Sequence, residues 1–261
     1  MNIVVCLKQV PGTTEVKINP ETNTLIRQGI KSIINPFDSY ALEEGVRLRE
    51  KYGGKVIALS MGPPQAVEML KDAISLGADE AVLLSDRAFA GADTWATAYT
   101  LAGAVKKLGQ IDLVICGRQS TDGDTAQVGP EMAEMLGAAF VAYVGAVEEV
   151  AANRLRVRRM IDEGHEVVQS VLPAVITVTK EINLPRLPSL RGLMKAKSAK
   201  IPTWTLADLA LDPDKVGLNG SFTRVVRIFT PQHVKKAEMI QGEPEAQVSC
   251  LISKLKENRL A

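Results

Sequence analysis

Residues Ile111–Pro130 read IDLVICGRQSTDGDTAQVGP, and this stretch decides the fold. Its opening, Leu113-Val114-Ile115-Cys116, is the unbroken apolar run that a strand buried on both faces of a parallel sheet needs. The run breaks at Gly117 and passes through Arg118, Gln119, Ser120, Thr121, Asp122, Gly123, Asp124 and Thr125. A helical pattern resumes at Ala126, with Pro130 and Glu131 near the start of its apolar face. In open α/β sheets, ligands bind where a strand's carboxyl end yields to a loop and a helix start. Spare backbone N–H groups and the helix dipole favour an anion there. The loop also exceeds the roughly 2–6 residues usual between strand and helix, which points to function rather than mere connection.

Upstream, Ile3 to Leu7 reads as a first buried strand, ending in Lys8-Gln9-Val10-Pro11, where a polar pair at the sheet's carboxyl edge can line a ligand crevice. Gly12 to Ile34 alternates weakly, with Val16, Ile18, Leu25 and Ile26 around Asn19-Pro20 and Asn23, and implies a small hairpin or an irregular excursion. Asn35-Pro36-Phe37-Asp38 is a turn, followed by a helix that Asp38 or Ser39 would cap and Gly53-Gly54 would end. Capping does not explain why Asn35 precedes Pro36. Val56 to Ser60 is the next strand, closed by Met61-Gly62-Pro63-Pro64, and Gln65 to Leu76 is a helix. Strand Glu80 to Leu84 follows, and Asp93 stands as N-cap of a helix from Thr94 to Leu108. Strand and helix in alternation imply a parallel sheet covered on both faces.

Past Gly137 the pattern changes. Val141 to Val150, Arg154 to Ile161 and Glu166 to Val171 read as strands, the last two joined at Asp162-Glu163-Gly164, and Ala174 to Thr179 as a buried strand. Leu184 to Lys200 carries Pro185, Pro188, Gly192 and several lysines, which implies a long exposed loop. Ile201 to Ala261 is a weakly hydrophobic tail with an amphipathic helix over Ala246 to Lys256. The expected organisation is an α/β domain over 1–200, a parallel sheet with added antiparallel strands, and a partner-binding arm over 201–261.

Composition excludes several functions. The 31 basic and 30 acidic residues nearly cancel and form no basic stripe, and aromatics are 4% of the chain, so a nucleic-acid partner is not expected. No apolar stretch reaches the roughly 18 residues of a membrane span, and the N-terminus runs straight into a strand pattern, so the expected place is the cytoplasm. Cys6, Cys116 and Cys250 show no pairing or metal spacing, and His165 and His233 are the only histidines. No metal centre or catalytic triad is expected.

Six pieces in order, VVCLKQV, NPFD, ALSMGP, CGRQSTDGDTAQVGP, VRRMIDEGHEVVQSVLPAVITV and LPRLPSLRGLMKAKSAK, resemble the β subunit of electron transfer flavoproteins over essentially the whole chain. The resemblance implies an adenine nucleotide α hydrolase-like fold and a flavin-carrying α subunit as partner. It implies nucleotide-binding roles for Cys6, Asn35, Asp38, Met61 and the loop Gly117, Arg118, Gln119, Ser120, Thr121, Asp122, Gly123, Asp124, Thr125, Ala126, Gln127 and Val128. Leu190, with Met194 and Lys195, falls where the family docks its flavin-dependent dehydrogenase, such as an acyl-CoA dehydrogenase. Asp122 to Pro130, and Ala92 to Thr97 with Asp93, Thr94 and Thr97, are similar to the electron-bifurcating subgroup. There the β subunit holds FAD, takes a hydride from NADH, and divides the electrons between ferredoxin or flavodoxin and the α-subunit FAD. Two alternatives stand beside this one: a non-bifurcating β subunit holding structural AMP, and a nucleotide-binding enzyme or sensor on the same kind of fold. The LKQVPG after the first strand, with no serine- and glycine-rich pyrophosphatase loop, weighs against the last.

Overall fold

The computed structural model describes residues 1–12, 17–18, 25–26, 32–226 and 237–260. The chain begins with β1 (Asn2–Cys6), then β2 (Gln9–Pro11), β3 (Lys17–Ile18), β4 (Leu25–Ile26) and β5 (Ser32–Ile34). β2 pairs antiparallel with β5, and β3 with β4. Val16, Asn19, Pro20 and Asn23 lie outside the described residues, as does His233. Helix α1 (Pro36–Tyr52) leads to β6 (Lys55–Met61), α2 (Ala66–Ser75) and β7 (Glu80–Leu84). Helix α3 (Thr94–Leu108), β8 (Leu113–Gly117) and α4 (Val128–Leu136) complete the alternating part. After them come β9 (Ala139–Ala151), β10 (Arg154–Ile161), β11 (Gly164–Val171) and β12 (Ala174–Val178). The remaining elements are α5 (Leu190–Ser198), β13 (Thr203–Trp204), α6 (Leu206–Leu209) and α7 (Pro244–Glu257).

The main sheet has nine strands in the order β11-β10-β9-β12-β8-β1-β6-β7-β13. Every pairing from β9 to β13 is parallel, and β10 runs antiparallel between β9 and β11. Because successive side chains leave opposite faces, β1 divides its apolar residues between two cores. Ile3 and Val5 pack with Leu42 and Val46 of α1 and Leu70 of α2. Val4 packs with Leu101 and Val105 of α3, Met132 of α4 and Val114 of β8. Ile115, Leu59 and Ile176 are fully buried, and each such side chain contributes about 1.5–3 kcal/mol relative to exposure.

The strand order places the site. Helices α1 and α2 carry the chain from β1 outward to β6 and β7 along one face, whereas α3 brings it back past β6 and β1 to β8 along the other. Strand order therefore reverses between β1 and β8, where the loops diverge and leave a crevice beyond the strand ends.

Three expectations are corrected. Helix α1 begins at Pro36, and neither Asp38 nor Ser39 caps it; Asn35 is its N-cap residue without a side-chain capping bond, and Asp38 is a buried residue of the first turn. Helix α4 begins at Val128 rather than Ala126, because Ala126 is held at φ +56, outside the helical region. The stretch Leu184 to Lys200 is not loop throughout: Leu190–Ser198 is a helix whose N-terminus is capped by Ser189, its hydroxyl accepting from the Gly192 N–H. Ala196 is buried, and the Lys195 ammonium donates to the Ala78 carbonyl at 3.0 Å.

The described chain forms two compact units, 1–226 and 227–261. Residues 201 to 226, read with the tail in the sequence, pack within the first unit through β13, which pairs with β7. In the second unit α7 leaves Val248, Leu251 and Ile252 as an exposed stripe at helical spacing, and Lys254 pairs with Glu238 at 2.7 Å. Among the described residues no helix is long and apolar enough to cross a membrane.

Candidate functional site

A crevice of about 1000 Å³ opens where β1 and β8 end, and it lies wholly within residues 1–226. Its floor is made by the strand ends Cys6, Cys116 and Met61. The Cys6 thiol lies 4.0 Å from the Met132 sulfur. The neighbouring Cys6 thiol and burial push the Cys116 thiol above its ordinary range, so Cys116 serves as inert apolar surface.

The loop from Arg118 to Gln127 owes its shape to a few side chains reaching from the ends of β1 and α1. The Asn35 amide uses both its poles: Nδ2 donates to the Gln119 carbonyl at 2.8 Å, and Oδ1 accepts from the Thr121 N–H at 3.1 Å. Nδ2 also donates to Asp38 Oδ1 at 2.9 Å, while Asp38 Oδ2 accepts from the Lys8 N–H at 2.7 Å. Asp38 further accepts from the Gly117 N–H. Burial raises the Asp38 carboxyl to about 7 despite these donors. Gly117 has to be glycine, since a Cβ there would lie 2.3 Å from Asp38 Oδ1 and 2.7 Å from the Phe37 carbonyl carbon. So Asn35, Asp38 and Gly117 are a seam joining β1, α1 and β8. Asn35 before Pro36 is explained by this: the amide holds the loop.

Further along, the Lys8 ammonium donates to Asp122 Oδ1 at 2.6 Å and to the Ser120 hydroxyl at 3.2 Å. Burial opposes ionisation of Asp122, yet the bonds from Lys8 and Ser120 outweigh it and hold the carboxyl below its usual range. Gln119 donates to Asp124. Asp124 and Ala126 both adopt left-handed backbone, φ +55 and +56. For alanine this costs about 1–2 kcal/mol, which persists only where the surroundings impose it and which gathers at functional sites.

The opposite wall comes from α3. Asp93 caps the helix, its Oδ1 accepting from the Ala96 N–H at 3.0 Å. Its Oδ2 accepts from the N–H and hydroxyl of Thr223 at 3.0 and 3.1 Å. One carboxylate thereby fixes both the helix start and a strap, residues 221–225. The strap is possible because Gly217, at φ +55, passes so close that a Cβ would lie 1.9 Å from the Ala88 carbonyl oxygen. Trp95 and Phe222 meet edge to face at 6.1 Å. The Thr94 hydroxyl reaches across to α4, 3.0 Å from Glu131 Oε1 and 3.4 Å from Gln127 Oε1. A cationic and amide-rich rim, a polar loop and an aromatic wall suit a phosphorylated compound carrying flat rings.

The electron transfer flavoprotein subunit beta of Thermoanaerobacterium thermosaccharolyticum is 49% identical over 256 residues, 98% of each chain. A model described as the electron transfer flavoprotein domain matches residues 22–209. The chain belongs to the electron transfer flavoprotein β-subunit family. The caffeyl-CoA reductase-Etf complex subunit CarD of Acetobacterium woodii is 48% identical over 262 residues, the full length of both. Protein FixA of Azorhizobium caulinodans is 43% identical over 263 residues, 98% of this chain and 94% of its own.

In this flavoprotein β subunit most of the residues singled out by sequence converge on one crevice. Cys6, Asn35, Asp38, Met61, Asp93, Thr94, Thr97, Arg118, Gln119, Ser120, Gly123, Thr125, Ala126, Gln127 and Val128 line it. Gly117, Thr121, Asp122 and Asp124 stand behind that lining and shape it. Leu190, Met194 and Lys195 lie apart from it, on α5, which packs on α2. Leu190 and Met194 are 77% and 67% exposed. Sequence reasoning missed Glu131, Trp95 and the strap as parts of the site. Trp95 adjoins Thr94, a signal that was available; the strap lies some 130 residues from its partner Asp93 and carries no motif.

Proposed function

We propose that this chain is the β subunit of an electron-bifurcating flavoprotein and that its crevice holds FAD. The observation carrying this reading is the extent of the crevice: about 1000 Å³, with a second polar and aromatic wall beyond the β1–β8 loop. That is the upper end of the roughly 300–1,000 Å³ common for ligand sites. An AMP-sized ligand would use the β1–β8 half and leave the wall of Thr94, Trp95 and Thr97 without a ligand to contact. When bound, FAD would accept a hydride from NADH and pass single electrons to ferredoxin or flavodoxin and to the FAD of the α subunit.

The chain's own residues would supply binding and orientation. The N–H groups of the loop and of the α4 start, with Lys8 and Arg118 at the rim, suit the pyrophosphate. Trp95 and Phe222, 40% and 83% exposed, suit a ring system that would cover them, and the bonds of Thr223 to Asp93 hold the strap in place for it. On the surface, Leu190 and Met194 present an apolar anchor suited to transient docking of a dehydrogenase, and Lys195, held against the Ala78 carbonyl and Asp79, fixes the helix that carries them. The CarD relative, a subunit of a caffeyl-CoA reductase complex, supports an acyl-CoA-type dehydrogenase in that role. The exposed stripe of α7 suits an arm lying against the α subunit, with the whole assembly in the cytoplasm.

The test is anaerobic titration with NADH of the heterodimer purified with its α subunit. The reading expects the flavin at the β site to be bleached by NADH without a dehydrogenase present; a flavin that stays oxidised would sink it.

A further inference from the structure

We infer that Glu131 is the ligand-orienting residue of the crevice, its second carboxylate oxygen receiving an N–H or O–H from the flavin half of the dinucleotide. This rests on the FAD reading above and goes beyond it by naming a recognition contact. Glu131 Oε1 is occupied by the Thr94 hydroxyl at 3.0 Å. Oε2 is buried, and it has no hydrogen-bond partner among the described residues. Glu131 nonetheless lines the crevice. The Thr94 hydroxyl cannot serve Oε2, because its single proton is shared between Glu131 Oε1 and Gln127 Oε1. A buried acceptor left without a donor is costly, so a ligand group that supplies one is selected.

The charge of the site decides which ligand group that is. A phosphate beside Glu131 would meet its carboxylate and that of Asp93, which already works with burial to raise the Glu131 carboxyl. Arg224 on the same wall is exposed and forms no ion pair with either carboxylate among the described residues. The loop instead offers Arg118, the spare N–H groups before α4, and Lys8, whose pairing with Asp122 leaves that carboxylate neutralised. The phosphates therefore belong at the loop and the hydrogen-bond donors at Glu131. Thr94, which holds Glu131, adjoins Trp95, and Trp95 meets Phe222. The donor beside Glu131 accordingly comes from the half of the ligand that stacks on these rings, the isoalloxazine and its ribityl chain, rather than from the adenosine.

The experiment is calorimetric titration of the full chain with FAD and, separately, with AMP, for wild type, Glu131→Gln and Glu131→Leu. Gln keeps the size and the Thr94 contact but turns an NH₂ toward the ligand, so it tests polarity without a cavity. Both variants should bind FAD about 10-fold or more weakly, while AMP affinity stays within about twofold. Unchanged FAD affinity in both variants, or equal losses for FAD and AMP, would overturn the inference. A wild-type chain that takes AMP and no FAD would overturn the FAD reading itself, and the inference with it.

Discussion

Replacing Asp38 with alanine should lower the unfolding free energy by about 3 kcal/mol or more and abolish nucleotide binding at the same time. The carboxylate accepts from Lys8 N–H, Asn35 Nδ2 and Gly117 N–H, and the alanine variant leaves these buried donors unpaired. Each orphaned donor costs about 1–3 kcal/mol. The loss spreads because Asn35, freed from Asp38, no longer fixes the Gln119 carbonyl and the Thr121 N–H. Asp38→Asn keeps one acceptor but turns an NH₂ toward a donor, so its loss is intermediate. The effect also has a pH signature. Burial raises the folded carboxyl from 3.8 to about 7. Between those values the folded state holds a proton that the unfolded chain has released. Stability from this group is therefore fully present below about pH 4 and is lost as pH rises to 7. The shift is worth on the order of 4 kcal/mol at the upper limit. Other carboxyls titrate as well, so the quantity to compare is the wild-type minus Asp38→Asn difference in urea unfolding at pH 5 and pH 8. It should shrink toward the higher pH; a difference that grows would contradict the assignment.

Replacing Arg186 with alanine should cost about 3 kcal/mol of stability and loosen α5, the helix proposed above for docking. The guanidinium forms two forks, to Glu43 Oε2 and Oε1 at 2.8 and 3.1 Å and to Glu50 Oε1 and Oε2 at 2.7 and 3.0 Å. Glu50 is half exposed and its pair contributes little by itself. Glu43 is only 8% exposed, and its carboxylate without Arg186 is a buried, unpaired charge. Both carboxylates lie on α1, so the fork ties the segment before α5 to the helix that begins at the crevice. A lysine cannot reproduce the two forks, and Arg186→Lys should recover less than half of the loss. Arg186→Ala combined with Glu43→Gln should recover stability but not the position of α5. Urea unfolding reads the first effect. Electron delivery to the dehydrogenase, with NADH-driven flavin reduction unchanged, reads the second. Equal behaviour of the single and double variants in both assays would remove the clamp from the account.

Much of this architecture was legible from residues alone. Buried parallel strands announce themselves as unbroken apolar runs, so β1, β6, β7 and β8 could be bounded within a residue or two, and Asp93 was readable as a cap. The polar loop after β8 marked the crevice because its length exceeds what a connection requires. Three features were not legible, each for a physical reason. Asp38 looks like a cap by type and position, but its burial depends on β8 passing within van der Waals distance at Gly117, a tertiary fact. Helix α5 is hidden by Pro185, Pro188 and Gly192; the prolines lie before the Ser189 cap, and α2 supplies the packing that a glycine-containing nine-residue helix lacks alone. Glu131 reads as an ordinary acidic residue in a helix first turn, favourable to the dipole. Only the crossing of α3 against α4 brings Thr94 onto it and buries its second oxygen.

The central claim is that the crevice at the β1–β8 switch point holds a redox flavin rather than a structural mononucleotide. The most direct measurement is the cofactor content of the heterodimer purified with its α subunit, released by denaturation and resolved by chromatography. The account predicts two FAD and no AMP per heterodimer. One FAD together with one AMP would contradict it.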